Sequence, residues 1–188
     1  MSLFLHICTG VGLALAAGIR PFTVTLLAGA LARADVLVDF RATSYAFLSS
    51  TVFLLVVVCL FAAFAILRHR AARELVTATG VAMGGLLFAA VLAGHHETAW
   101  PGLLAGLAAA ALAQLVCAPI FAGASARLGD NAARAAVMLY ADAVALVLAA
   151  VCWFAPPLAL VALAFFASLA WKQRRRLSTR VAALRVLR

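Results

Sequence analysis

Polar residues interrupt this chain rarely and in bunches, and the apolar runs between them are as long as a bilayer is thick. A spanning helix needs about 20 mostly apolar residues to cross about 30 Å of hydrocarbon. Ala46 to Leu67 meets that length with no charge in it, and Val76 to Gly94 meets it between Arg73 and His95. Ala136 to Phe154 does so with Asp142 as its one charged residue, and Pro157 to Trp171 is shorter but ends on an interfacial pair, Trp171 and Lys172. Two further runs are longer and interrupted: Ser2 to Ala32 by Gly18-Ile19-Arg20-Pro21, and Gly102 to Ala126 by Gln114 and Pro119. Proline removes a backbone donor and clashes with the preceding turn, so both runs predict long, kinked or broken helices.

Counting each run once predicts an all-α, polytopic transmembrane helix bundle of six spans. The expected organisation is one transmembrane domain over 1–171, in halves 1–94 and 95–171, followed by a basic tail over 172–188. A shift of 94 residues lays Gly12–Arg33 on Gly106–Arg127 with ten of 22 positions identical, six of them alanine on alanine. With three spans in each half, such a repeat is inverted with respect to the membrane.

Composition supports the class. Apolar residues make up 68% of the 188 positions and charged residues 11%, with a mean hydropathy of +1.15; soluble domains carry about 45–50% and about 25%. The net charge of +9 does not form a continuous basic face, so nucleic-acid binding is not expected. The basic residues instead segregate by loop. With the N-terminus, 68–75, 127–135 and 172–188 on one side, that side holds 12 Lys and Arg, against 2 for 33–45, 95–101 and 155–156. The positive-inside rule makes the first side cytoplasmic, with both termini inside. Leu3 to Ala17 has the look of a signal-peptide core but lacks a basic start, so cleavage is not expected.

Three polar residues inside the runs are candidate ligand-binding positions: Arg20, Gln114 and Asp142. A charge at mid-bilayer costs at least about 2.5–3.5 kcal/mol, so it is rarely left facing lipid. Arg20 precedes a half-helix whose free amides carry a positive dipole end, which suits an anion; alternatively it caps its helix or pairs with Asp142 to hold the bundle. Gln114 aligns with Arg20 under the repeat. Asp142 reads as that counter-charge, as a proton carrier, or as a protonated, hydrogen-bonded carboxyl.

His95-His96-Glu97 has ligand-type side chains, but adjacent residues rarely reach one ion together, so no metal and no cofactor are expected. Cys8, Cys59, Cys117 and Cys152 lie in apolar runs without CxxC spacing and read as small buried apolar residues. The pairs Gly80/Gly84 and Gly102/Gly106 allow close helix contact; they favour packing within the chain and leave a homo-oligomer open. Leu177, Val181 and Leu184 share a face of the basic tail, which anchors orientation or lies on an anionic leaflet. No nucleophile–base set, HExxH, P-loop or GxGxxG occurs, so the chain is not expected to be an enzyme.

The segment Gly12-Leu13-Ala14-Leu15-Ala16-Ala17-Gly18-Ile19-Arg20-Pro21-Phe22, followed by Leu26-Leu27-Ala28-Gly29-Ala30-Leu31-Ala32-Arg33, resembles the opening of a bacterial membrane-protein family catalogued as domain of unknown function 4126. Gly84-Gly85-Leu86-Leu87-Phe88-Ala89-Ala90 and Tyr140-Ala141-Asp142 resemble it too. Members of that family carry an acidic stretch after the second span, where this chain has Arg68-His69-Arg70-Ala71-Ala72-Arg73. The resemblance implies a bacterial inner-membrane protein and supplies no activity. Two functions fit: a small transporter, channel or flippase in which Arg20 meets an anionic solute or lipid headgroup, or a non-transporting scaffold for partner membrane proteins.

Overall fold

The computed structural model describes residues 3–34, 43–66, 70–127 and 129–186. Most of the 33–45 connection, with Arg41, and the basic residues Arg68 and Arg188 fall outside them. The described residues form helices α1 (Leu3–Ile19), α2 (Pro21–Arg33), α3 (Thr51–Ile66), α4 (Arg70–Gly94), α5 (Ala99–Arg127), α6 (Asn131–Phe154) and α7 (Leu158–Val186), with a 3-10 turn at Ala46–Ser49 and no strands. Three stretches are long and apolar enough to cross a membrane: Glu74–Gly94, Ala99–Arg127 and Ala132–Phe154.

The first apolar run breaks where its sequence breaks. Arg20 takes an extended conformation (φ −143°, ψ 92°) as N-cap of α2, with Pro21 in the first turn, where a missing N–H costs nothing. The second interrupted run does not break: Pro119 sits inside one continuous helix, α5. The charge-free run after Ala46 begins as the 3-10 turn, in which the Ser49 hydroxyl donates to the Ala46 carbonyl (2.9 Å), and Ser50 is extended (φ −68°, ψ 136°). That local serine bonding competes with the helix and leaves α3 with 16 residues.

Small residues set the packing of α1, α4 and α5. A Cβ on Gly84 would lie 2.4 Å from the Ala110 Cβ, and one on Gly106 would lie 2.7 Å from the Gly84 carbonyl oxygen. Gly102 closes on Leu92 in the same way, so both glycine pairs serve contacts within the chain. These approaches also give direction. Gly10 meets Phe88, Ala14 meets Gly84 and Ala17 meets Gly80, so α1 and α4 are antiparallel, and the His6 ring stacks on His95 (3.5 Å between centroids, 6° apart).

Helix α2 runs back the way α1 came. Phe22 packs on Phe61 and Phe64, Gly29 on Leu54, and Arg33 bonds the Thr51 hydroxyl, so α2 and α3 are antiparallel. The chain from Ile66 to Arg70 reaches about 14 Å at most, while Arg70 lies about 15 Å along α4 from Gly80, which is level with Pro21. Helix α3 must therefore descend towards the start of α4, and α2 climbs towards the His95 end. There Ala28 and Ala32 share a core cluster with Leu48, Ala90, Val91, Ala149 and Trp153.

Helices α1 and α2 thus form a hairpin turning at Arg20, entering and leaving at one end. The expectation that the first run crosses once, with both termini on one side, does not match this course. Helix α1 begins at the His95 end, whereas α7, tied by Gln173 to the Val116 carbonyl (3.2 Å), runs to the other. The charge asymmetry survives, because the relocated N-terminal segment carries no Lys or Arg before Arg20.

The hairpin fills only half of the bundle's length. Buried positions of α4 run from Gly80 to Leu92, of α5 from Gly102 to Val116, and of α6 from Ala141 to Trp153. Between the hairpin's turn and the basic end (74–79, 117–127 and 132–140), no residue is buried.

Candidate functional site

The three polar residues meet the bundle at the level where packing stops. At the tip of the α1–α2 hairpin, Arg20 Nε lies 3.2 Å from Asp142 Oδ1, and Arg20 Nη2 donates to the Met138 carbonyl (3.0 Å). Helix α6 supplies both partners because positions 138 and 142 are one turn apart on one face. The Asp142 oxygen accepts no aligned hydrogen bond, so the contact is an ion pair. The Thr23 hydroxyl, which donates to the Arg20 carbonyl at 3.4 Å, can turn to the same carboxylate. The two charged side chains keep 28% and 21% of their surface exposed, so the pair is not sealed into the protein.

Gln114 approaches the turn from α5. Its Nε2 and the Ala17 carbonyl oxygen lie 3.4 Å and 3.5 Å from the point where a Gly80 Cβ would stand, with Pro21 Cγ at 3.7 Å. Pro21 has no N–H to give Ala17, whose carbonyl is thereby freed from the helix ladder. Gln114 Oε1 is buried without a partner, as is the hydroxyl of Thr25 one turn into α2. Arg20 and Asp142 are therefore in contact, and Gln114 borders the same hairpin tip from α5.

Sequence reasoning passed over Met138, whose main-chain carbonyl carries no side-chain signal, and gave Gly80 a packing role without placing it beside Gln114 and Ala17. The freed Ala17 carbonyl was readable, since Pro21 stands four residues after it. Among the described residues no group of His, Cys, Asp and Glu is arranged to hold a metal ion. All four cysteines are free, and Cys59 is exposed on α3 rather than buried.

The arrangement offers an oxyanion one guanidinium on a partly exposed side chain. It offers a proton one carboxylate beside that guanidinium. Fold and site together define an α-helical bundle with helices of membrane-crossing length and a partly exposed charge pair at the tip of its first hairpin. The chain belongs to the family described as domain of unknown function (DUF4126), whose model matches residues 7–176. No curated protein and no solved structure matches it.

Proposed function

We propose that this is a multi-pass protein of the bacterial inner membrane that binds an anionic solute or a lipid headgroup at Arg20 and moves it as a small transporter, channel or flippase. The observation that carries the reading is Arg20 at the tip of a half-depth hairpin, held by Asp142 and the Met138 carbonyl with 28% of its side-chain surface still exposed. A charge at that depth is expensive, and one ion pair alone would not require the exposed surface. Interrupted helices with sites at the interruption are a recurrent transporter design.

The excess of Lys and Arg at the end holding 68–75, 127–135 and 172–188 makes that end cytoplasmic. The unpacked half then opens from the cytoplasm towards Arg20. Helices α2–α4 and α5–α7 alternate in opposite senses, as in an inverted repeat, but the sequence match of Gly12–Arg33 with Gly106–Arg127 lays both arms of the hairpin on the one continuous helix α5.

A scaffold role is favoured by a different observation: Leu115, Ile120, Met138, Leu139 and Tyr140 are each at least half exposed on the unpacked helices, and a partner's helices would cover them. Reconstitution into liposomes with a panel of anions separates the two. Transport predicts flux that Arg20→Ala abolishes; equal flux in both, or none with any anion, removes it.

A further inference from the structure

Arg20 cannot serve an anion fully while it serves Asp142. We infer that the two compete, so that anion binding at Arg20 is coupled to protonation of Asp142, one proton taken up for each oxyanion bound. This rests on the anion-site reading above and adds its regulation.

The geometry gives the coupling its sign. Asp142 Oδ1 stands 3.2 Å from Arg20 Nε and has no aligned hydrogen bond to any other group. An ionised carboxylate there neutralises the guanidinium and repels an incoming anion. A proton on Asp142 removes that charge and leaves Arg20 with a net positive charge for a ligand to meet. The anion then supplies the missing counter-charge, and a neutral carboxyl can donate its O–H to it. No proton is left unaccounted for: the site is neutral with Asp142 ionised, neutral again with a monoanionic phosphodiester bound and Asp142 protonated, and carries one negative charge with sulfate in its place.

Other groups do not blur this exchange. Helix α6 packs on α1, α2, α5 and α7, and among their charged side chains Arg20 is the one acting on Asp142. His6 lies at the far end of α1, Arg33 and Arg127 close α2 and α5, and Lys172, Arg174 and Arg175 lie beyond Trp171 on α7. On α6 itself Arg134 lies two turns earlier, and Tyr140 is 68% exposed.

The chemical class is an oxyanion, whether free or at the head of a lipid. Purified full-length protein in detergent would be titrated with sulfate and, separately, with short-chain phosphatidylglycerol. Neither probe changes charge between pH 5 and pH 8. Affinity for at least one of them is expected to rise on acidification, by up to about tenfold per pH unit, with one proton taken up from a weakly buffered solution per anion bound. Asp142→Asn is expected to bind at pH 8 as tightly as wild type does at pH 5, with no pH dependence, and Asp142→Glu to retain it. The proton-uptake measurement needs only wild type, so it stands if Asp142→Asn fails to fold. Binding lost in Arg20→Gln but independent of pH, without proton uptake, would overturn the coupling and leave the anion site standing. No binding of either probe at any pH, or binding unchanged in Arg20→Gln, would overturn the site and the coupling together. Sulfate binding without lipid binding assigns the site to a solute, and the reverse to a headgroup.

Discussion

Gly18 and Ala110 touch backbone to backbone: a Cβ on Gly18 would stand 2.3 Å from the Ala110 carbonyl oxygen and 2.8 Å from its Cα. Neither neighbour is a flexible side chain, so neither can move aside without shifting a helix. Gly18→Leu is therefore expected to destabilise the bundle by about 3 kcal/mol or more, the upper range for overpacking a tight core. Gly123→Ala, where nothing lies within 4 Å, is expected to hold or gain stability, since alanine is the better helix former. Thermal unfolding in detergent compares the two.

The Arg20–Asp142 pair predicts strong non-additivity. Removing one partner leaves the other charge uncompensated at depth, a loss of about 3–5 kcal/mol for buried pairs; with both groups more than a fifth exposed, the lower end or less is expected here. Arg20→Leu and Asp142→Leu should each destabilise, and the double variant should recover much of the loss. A double-mutant cycle of unfolding free energies measures the coupling, and simple additivity would show that the pair contributes nothing.

The stacked imidazoles at the other end predict an acid-sensitive contact. Burial, then the charge of His6 and of the N-terminus, hold the His95 imidazole below its ordinary value of 6.5. A base whose folded value is lowered binds its proton more readily when unfolded, so stability is unaffected above about pH 6.5 and falls as pH drops through it. Replacing His95 with Phe keeps a stacking ring and removes the proton. Its stability between pH 7 and pH 5 should be flat where that of wild type declines.

The hairpin predicts termini on opposite faces. In a variant without native cysteines, Glu97→Cys and a cysteine placed before Leu3 should both react with an impermeant maleimide added to intact cells. Gly129→Cys should react only after the membrane is opened. Labelling of the N-terminal cysteine together with Gly129→Cys, and not with Glu97→Cys, would return α1 to a single crossing.

Much of this was written in the residues, and the rest was not for identifiable reasons. The bundle class, the break at Gly18–Pro21 and the intramolecular use of the glycine pairs follow from spacing and small side chains. The ion pair was one of the alternatives that Arg20 and Asp142 posed, since a charge in an apolar run needs a partner. Hydropathy, however, reports how far a run could reach and not which way it travels. Ser2 to Ala32 has the same composition whether it crosses or doubles back, and the decision lies in Phe22 meeting Phe61 and Gly29 meeting Leu54. At Pro119, of the kinked and broken alternatives, the break does not occur: the proline lies at an exposed position of α5, where a helix can continue past a proline.

A hairpin that turns back at Arg20 also fixes the outline of the molecule. Among the described residues, seven helices share the half that contains His95, while α4, α5, α6 and α7 make up the other. In a bilayer, such a body occupies more area in one leaflet than in the other, and neighbouring lipids must tilt to close around its narrow end. The described residues make a wedge, and a bilayer bowing outward over the broad face is the one expected to fit it with least strain.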